Sequence, residues 1–247
     1  MVYSGHMQSA LLHKVRLTQY FVLFLILFLI FEYIAPHVVF TSGALTLFSV
    51  NSFLYGFYIA PILSAQKARI EDLHKIVRSE ANAVFAMVIG LKRLPAELRN
   101  QLQDLFILYL QKNVHNQKAG AGEREYESLI TFCLTYSGEY QADIDKLLDK
   151  LVANQLNRTN FAMQMSNKVF SNEWMVMLVL FSITLSFVLL LDAGKNITYH
   201  LLAALLATGL SMLLIILLKM STLTHKKARQ MWEPYKKLIA SHFYRID

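Results

Sequence analysis

Histidines are the side chains of this 247-residue chain best suited to metal or proton chemistry, and their spacing gives no local metal motif. The eight histidines lie at positions 6, 13, 37, 74, 115, 200, 225 and 242. A zinc-binding helix carries two histidines four residues apart, often as HExxH, and the sequence has neither pattern. We therefore predict no metal site and expect His37 and His200, which border apolar runs, to be interfacial side chains. A pH-sensing role is the alternative for this pair.

The acidic residues give no catalytic pattern either. Asp143, Asp145 and Asp149 gather within one helical stretch, but Lys146 and Lys150 lie among them, which is typical of a solvated helix face. Phosphate-binding glycine loops, a nucleophile elbow and an EF-hand loop are all missing from the sequence. Because no acid, base and nucleophile converge, we predict that the chain is not an enzyme and uses no cofactor.

The composition indicates a membrane protein built from helices. Hydrophobic residues make up 55% of the chain and charged residues 17%, and the mean hydropathy is +0.38. Soluble domains carry about 25% charged residues. The net charge of +7 does not predict nucleic-acid binding, because the lysines cluster beside apolar runs rather than among aromatic residues. The single cysteine, Cys133, has no partner for a disulfide, and we expect it to be a small core residue.

Four apolar runs are long enough to cross a bilayer as helices, and they group into two hairpins. The runs cover residues 17–35, 38–63, 174–191 and 199–218. Glu32 is the only acidic or basic residue of the first run and lies close to its outer end. We expect its carboxylate to reach water there, and an ion-facing role is the alternative.

Lysine and arginine near the span ends predict the orientation. Ten of them flank the inner ends, at positions 14, 16, 67, 69, 75, 78, 219, 226, 227 and 229, whereas the two outer turns hold only Lys195. By the positive-inside rule both termini and the middle region are cytoplasmic, where the basic residues meet anionic lipid. The first span is not followed by a clear signal-peptide cleavage site, so we predict that it is retained as a membrane anchor. We predict an integral protein of a bacterial inner membrane.

The polar middle of the chain is predicted to be a cytoplasmic helical region. A helix continues out of the second span, since apolar residues recur at helical spacing at positions 70, 73, 77, 84, 88 and 91. Further helices are expected from Pro95, from about 124 to 136, and from about 140 to 169, with a loop at 116–123. In the last helix the candidate buried residues are Ile144, Leu147, Leu151, Leu156 and Phe161. The predicted regions are therefore 1–16, 17–63, 64–173, 174–218 and the basic segment 219–247.

The second span carries an unusual pattern in the stretch SFLYGFY, residues 52–58. Ser49, Phe53 and Phe57 fall on one helical stripe, and Ser52 and Gly56 form the neighbouring stripe, small enough for another helix to approach closely. The phenylalanines either contact lipid or fill the bundle core, or they line a shared axis between several copies and form a hydrophobic constriction that gates by dewetting.

The segment 52–73, SFLYGFYIAPILSAQKARIEDL, resembles the second transmembrane helix of the bestrophin channels, in which Ser-Phe-x-x-Gly-Phe-Tyr precedes an Arg-bearing cytoplasmic helix. A wider and looser resemblance over about residues 45–240 is to a bestrophin-like family of four-span bacterial and plant proteins. It is carried by Arg78-Ser-Glu80, Leu94-Pro-Ala-Glu-Leu-Arg99 before Tyr109, Asn157-Arg158 before Trp174, and the span Ala203–Leu218.

The resemblance implies a homopentamer with the second spans around a central pore and the middle helices around a cytoplasmic vestibule. Phe53 and Phe57 would be neck residues, and Ser49 would take a third neck position that is usually aliphatic in bestrophins. This chain also departs from the pattern in the place of Pro61, which follows the Tyr, and in lacking a tryptophan pair after the span. Its basic C-terminal segment replaces the acidic calcium clasp of animal bestrophins, so calcium control is not implied.

We therefore expect an oligomeric channel for small ions. Lys67 and Arg69 at the cytoplasmic mouth would slightly favour anions such as chloride. The alternative is a non-conducting scaffold or sensor, whose cytoplasmic helices recruit a partner through an exposed apolar stripe between residues 140 and 169.

Overall fold

The computed structural model describes residues 15–118, 120–192 and 196–241, and this part of the chain is helical without strands. Lys14 and Lys195 of the orientation argument, the histidines at 6, 13 and 242, and the ends of the two terminal regions lie outside the described residues. The helices divide into two compact units. One comprises Met1–Ala68 and Lys168–His225, and the other comprises Arg69–Asn167 and Lys226–Asp247.

The helices are, in chain order, α1 Leu17–Ile34, α2 Ser42–Gly90, α3 Ala96–Asn116, α4 Glu123–Thr135, α5 Gln141–Ser166, α6 Ser171–Leu190, α7 Ile197–Ser221, α8 Lys226–Arg229 and α9 Glu233–Ala240, with 3-10 turns at Leu91–Arg93 and Gln230–Trp232. Four of the helical stretches are long and apolar enough to cross a membrane, as the sequence predicts. The chain is therefore an all-helical protein compatible with integral membrane insertion.

The α2 helix is continuous over 49 residues although Pro61 lies inside it. Proline removes one backbone hydrogen bond and commonly kinks a helix, but neighbouring helices often compensate this loss within a membrane. The prediction that the second span continues as a helix beyond the apolar run is confirmed. The apolar residues that carry this periodicity, at positions 70, 73, 77, 84, 88 and 91, are all buried.

In the first unit α1 packs most extensively against α7. Phe28 of α1 lies in a cluster with Ala204 and Ala207 of α7 and with Val188 and Leu189 of α6. Small residues at such a contact let two helix backbones approach closely, which is the main source of helix association within lipid. At the end of α6 the Val38 N–H donates to the Leu190 carbonyl at 2.7 Å, which fixes the connection between α1 and α2.

The second unit has an aliphatic and aromatic core formed by α2, α3, α4, α5 and the C-terminal helices. Cys133 is buried there with 1% exposure, which confirms its predicted role as a small core residue. Leu156 is 67% exposed, so its predicted burial is wrong. The segment after residue 225 is more than a basic tail, because Trp232 and Tyr235 are fully buried in this core.

Candidate functional site

The stripe of α2 predicted to line a pore is exposed in the single chain. Phe53 is 69% exposed and Phe57 is 71% exposed, and Ser49 on the same stripe is exposed too. The two phenylalanine rings stack on each other, with centroids 6.0 Å apart and planes 19° apart. Two residues four apart on a helix meet in this way, so the rings form one continuous aromatic surface.

The same stripe continues toward the C-terminal end of the span with small and polar residues. Ala60, Ser64 and Lys67 follow Phe57 at helical spacing, and all three are exposed. We call the set Ser49, Phe53, Phe57, Ala60, Ser64 and Lys67 the α2 stripe.

The opposite side of α2 is fixed against the rest of the first unit. Tyr55 and Ile59 are buried in a cluster with Met177 of α6 and Leu217 of α7. Asn51 adds a polar tie, because its amide donates to the Thr184 hydroxyl at 2.8 Å and to the Leu180 carbonyl at 3.0 Å. Hydrogen bonds between helices in lipid contribute about 0.6 kcal/mol each. These contacts set the rotation of α2 and leave its stripe facing away from its own unit.

The neighbouring small residues have room for a second helix. Gly56 is exposed, and a Cβ atom built on it would meet nothing within 4 Å. The Ser52 hydroxyl is buried and has no hydrogen-bond partner among the described residues. Among the described residues, the space beside Gly56 is therefore open to the approach of another helix.

The α2 stripe differs from the exposed faces of the other spans. Exposed residues on those faces are mostly aliphatic, including Leu23, Ile26 and Ile30 of α1, Leu178, Val179 and Ile183 of α6, and Leu201, Leu202 and Leu205 of α7. Exposed serines are not particular to α2, because Ser182 and Ser186 of α6 are exposed as well. The feature that distinguishes the α2 stripe is its pair of stacked, largely exposed phenylalanine rings.

The two basic residues predicted at the pore mouth do not share one surface. Lys67 is exposed, whereas Arg69 is only 4% exposed. The Arg69 guanidinium donates to the Gln164 carbonyl at 2.7 Å and to the Met165 carbonyl at 2.9 Å, at the C-terminal end of α5. Residues two apart on a helix point to nearly opposite sides, which is why the two diverge. The prediction that Arg69 lies at the cytoplasmic mouth of a pore needs correction, because its guanidinium group instead caps the C-terminal end of α5.

A second group of chemically capable residues lies at the predicted outer ends of the spans. Glu32 of α1 is only 2% exposed, so the expectation that its carboxylate reaches water is wrong. Its Oε2 atom lies 3.1 Å from Nδ1 of His200 and 3.5 Å from Nε2 of His37. The two imidazole rings meet edge to face, with planes 62° apart and ring centroids 5.2 Å apart.

Local motifs could not reveal this group, because 168 residues separate Glu32 from His200. The available signal was topological. All three residues lie at ends or turns that the positive-inside rule places on the same side of the membrane.

The second unit contains a buried polar cluster around Glu80. Tyr109 donates to one carboxylate oxygen of Glu80, and Tyr235 donates to the other at 2.5 Å. Burial raises the pKa of Glu80, although the two tyrosine hydrogen bonds and the nearby Arg158 charge oppose that shift. Burial also raises the pKa of Tyr109 and of Tyr235 well above their ordinary value, so both keep their protons and act as donors. This cluster ties the C-terminal helices to α2 and α3.

Arg158 completes the cluster on the side of α4. Its guanidinium lies 3.8 Å from the ring centroid of Tyr126 and pairs with Glu123. A cation over an aromatic ring in a desolvated position contributes about 2 kcal/mol. Glu80 and Arg158 are two of the residues that carry the wider bestrophin-like resemblance. Their contacts in this cluster give both residues a structural role in the second unit.

No protein-family model, no curated protein and no solved structure matches this chain. We therefore infer its function from the geometry of the α2 stripe and from the residues that carry the resemblance.

Proposed function

We propose that the chain assembles into a homopentamer whose α2 helices surround a shared path for small ions. The α2 stripe carries this proposal, because its exposed phenylalanines, flanked by serines, lie on a helix whose opposite side packs through Tyr55 and Ile59 against α6 and α7. Several copies that turn these stripes toward one axis would bury Phe53 and Phe57 from lipid. The small residues Ser52 and Gly56 would then lie where neighbouring α2 helices come close.

In this assembly the phenylalanine rings form a hydrophobic neck that opens and closes by wetting. Ser49 would provide a polar step on the outer side of the neck, and Ser64 one on the inner side. Lys67 is exposed beyond Ser64 and favours anions slightly through its charge. Arg69 adds nothing to this selectivity, because its guanidinium is engaged by the end of α5.

The proposed setting is a bacterial inner membrane with both termini in the cytoplasm. The excess of lysine and arginine at one end of the spans supports this orientation, and the same residues would contact anionic lipid headgroups.

Chloride efflux from liposomes tests the conduction mechanism. The double variant Phe53→Ala with Phe57→Ala should raise the resting efflux at least about tenfold, which corresponds to a barrier lower by about 1.4 kcal/mol. Removing both rings lets water fill the neck permanently. The measurement uses full-length protein in vesicles loaded with KCl, with valinomycin to carry the compensating potassium.

The matched control is Ile26→Ala with Ile30→Ala on α1. These two side chains are also four residues apart and are each 53% exposed, but they belong to an aliphatic face. The control should leave the efflux unchanged. Equal efflux from the wild type, the control and the phenylalanine variant would contradict a phenylalanine neck.

A non-conducting scaffold or sensor is the second candidate, and one observation favours it. Val152, Leu156 and Met163 form an exposed apolar stripe on α5, each at least 59% exposed. A partner protein could bind there while the spans only anchor the chain. This alternative predicts no protein-dependent efflux from any of the vesicles described above.

A further inference from the structure

The outer ends of the spans bring three metal-ligating side chains to one point. Glu32 comes from the last turn of α1, His37 from the connection after it, and His200 from the first turn of α7. One donor atom from each residue lies within 4.8 Å of the other two. The proposed channel function does not enter this inference, which depends on these three residues alone.

The distances suit a small divalent ion. A tetrahedral zinc ion with bonds of about 2.0–2.1 Å separates its ligand atoms by roughly 3.3 Å. The Glu32 oxygen lies 3.1 Å from the His200 nitrogen and 3.5 Å from the His37 nitrogen, on either side of that value. The third edge, between the two histidine nitrogens, is at most 4.8 Å, so small side-chain adjustments suffice for all three atoms to share one ion.

The cluster also leaves polar atoms unsatisfied. Glu32 Oε1 and His37 Nε2 are both buried, and neither has a hydrogen-bond partner within residues 15–118, 120–192 and 196–241. A buried polar atom without a partner costs about 1–3 kcal/mol, and more when it is charged. His200 Nδ1 lies within hydrogen-bond distance of Glu32 Oε2 at 3.1 Å, but the 3.5 Å from His37 Nε2 to that oxygen is too long for a good hydrogen bond, and Oε1 has neither histidine as a partner. The carboxylate side chain is only 1% exposed, which keeps bulk water from filling this role.

We propose that Glu32, His37 and His200 bind a divalent transition-metal ion, with zinc as the preferred occupant. Two imidazoles and one carboxylate form a ligand set typical of zinc and of neighbouring first-row ions. Calcium and magnesium are poorly matched, because they require oxygen ligands. The imidazole side chains are 22% and 19% exposed, so the cluster lies close to the surface of the unit although His37 Nε2 itself is buried.

Such an ion would fasten three chain segments together. The end of α1, the turn that leads to α2 and the start of α7 each supply one ligand. The backbone around Val38 is already held to α6, since its N–H donates to Leu190 and its carbonyl accepts from Asp192 at 3.1 Å. The metal would therefore further restrain the connection between α1 and α2, which backbone hydrogen bonds already hold to α6. Its binding free energy would add to the stability of the first unit.

Zinc binding by the full-length protein in detergent tests the proposal. The protein is stripped with a chelator and dialysed against zinc chloride, and bound zinc per chain is measured by mass spectrometry of the metal. The wild type should bind one ion more per chain than Glu32→Gln, His37→Ala or His200→Ala, each of which should weaken this binding at least about tenfold. Zinc should also raise the melting temperature of the wild type but not of these variants.

His115→Ala is the matched control, because His115 is exposed at the end of α3 and outside the cluster. Its zinc binding should equal that of the wild type. His37→Ala carries the test if the buried Glu32→Gln variant misfolds, since His37 lies in a turn. Equal zinc binding by wild type, His37→Ala and His200→Ala would overturn the proposal. Stabilisation on acidification with no zinc bound would assign the cluster to protonated histidine–carboxylate pairs and would overturn it too.

Discussion

At the scale of single residues, Gly122 is a position where both the backbone conformation and the packing of the second unit oppose a side chain. Its φ angle is 75°, and a Cβ atom there would lie 2.7 Å from Asn113 Nδ2 and 2.8 Å from Tyr109 Cδ2. Tyr109 in turn donates to Glu80, so the glycine allows the loop before α4 to close over the buried polar cluster. Gly120 has nearly the same φ angle of 76°, but nothing lies within 4 Å of its Cβ position.

Substitutions at these two glycines distinguish the cost of backbone strain, which both positions share, from the cost of steric overlap, which only Gly122 has. Gly120→Ala should lower the free energy of unfolding of the second unit by about 1–2 kcal/mol, the cost of the left-handed conformation. Gly122→Ala should cost about 1–3 kcal/mol more, because the added methyl group displaces packed neighbours. Denaturation of a Trp174→Phe protein, followed by the fluorescence of buried Trp232, measures both. Equal losses in the two variants would contradict the steric account.

Glu80 gives the second unit a dependence on pH. Burial is the largest influence and raises its pKa, so the folded unit holds a proton that the unfolded chain releases at lower pH. The associated stability is fully present below the ordinary carboxyl pKa and is lost as the pH rises through the raised value. Glu80→Gln should flatten this decline, measured with the same Trp232 signal between pH 4 and pH 8. An unchanged pH profile in Glu80→Gln would contradict this assignment.

At the scale of elements, Arg69 of α2 caps the C-terminal end of α5. The last carbonyls of a helix have no partner within the helix, and a cation there also offsets the negative end of its dipole. Arg69 supplies both through its bonds to Gln164 and Met165. Arg69→Ala should lower the free energy of unfolding by about 1.5–3 kcal/mol, because charged hydrogen bonds are lost from a buried place.

Hydrogen exchange locates this loss. Amides in the last turn of α5 should exchange faster in Arg69→Ala, whereas Lys67→Ala, which removes an exposed charge, should match the wild type. Faster exchange in both variants, or in neither, would show that Arg69 is not the cap.

Helices were predictable from the sequence because apolar spacing and turn residues are local signals. The helix leaving the second span, the loop near residue 120 and the burial of Ile144, Leu147 and Leu151 all follow from them. The error at Leu156 has a specific cause. The buried face of α5 continues from Leu151 through Asn154 and Arg158. Because these two buried residues are polar, a search for apolar residues at helical spacing misses them and selects Leu156 instead.

The candidate sites were less predictable, because they depend on contacts between distant segments. The α2 stripe could be identified from one segment of the sequence. Its exposure depends on the rotation of α2 about its axis, which the contacts of Tyr55 and Asn51 with α6 and α7 determine. Glu32 and His200 belong to different spans, and only the packing of α1 on α7 brings them together. The cap formed by Arg69 likewise needs the position of α5, which no spacing within α2 contains.

At the scale of the whole molecule, the proposal requires several identical copies. One α2 helix cannot enclose a path, and the stripe with its two phenylalanines would otherwise face lipid next to the open space at Gly56. The exposed stripe on α5, with Leu156 at its centre, would be a second surface for contact between copies in such an assembly. The scaffold alternative leaves that α5 stripe free for a different protein.

The mass of the detergent-solubilised full-length protein, measured by native mass spectrometry, tests this central claim most directly. Our account predicts one species of five times the 28.4 kDa chain mass, with Leu156→Lys shifting it toward smaller species. Lys67→Ala, which removes an exposed charge without adding one to an apolar stripe, should leave the number of chains in the complex unchanged. A single species of 28.4 kDa for the wild type would contradict the account, because an isolated chain has no second α2 stripe to face its own.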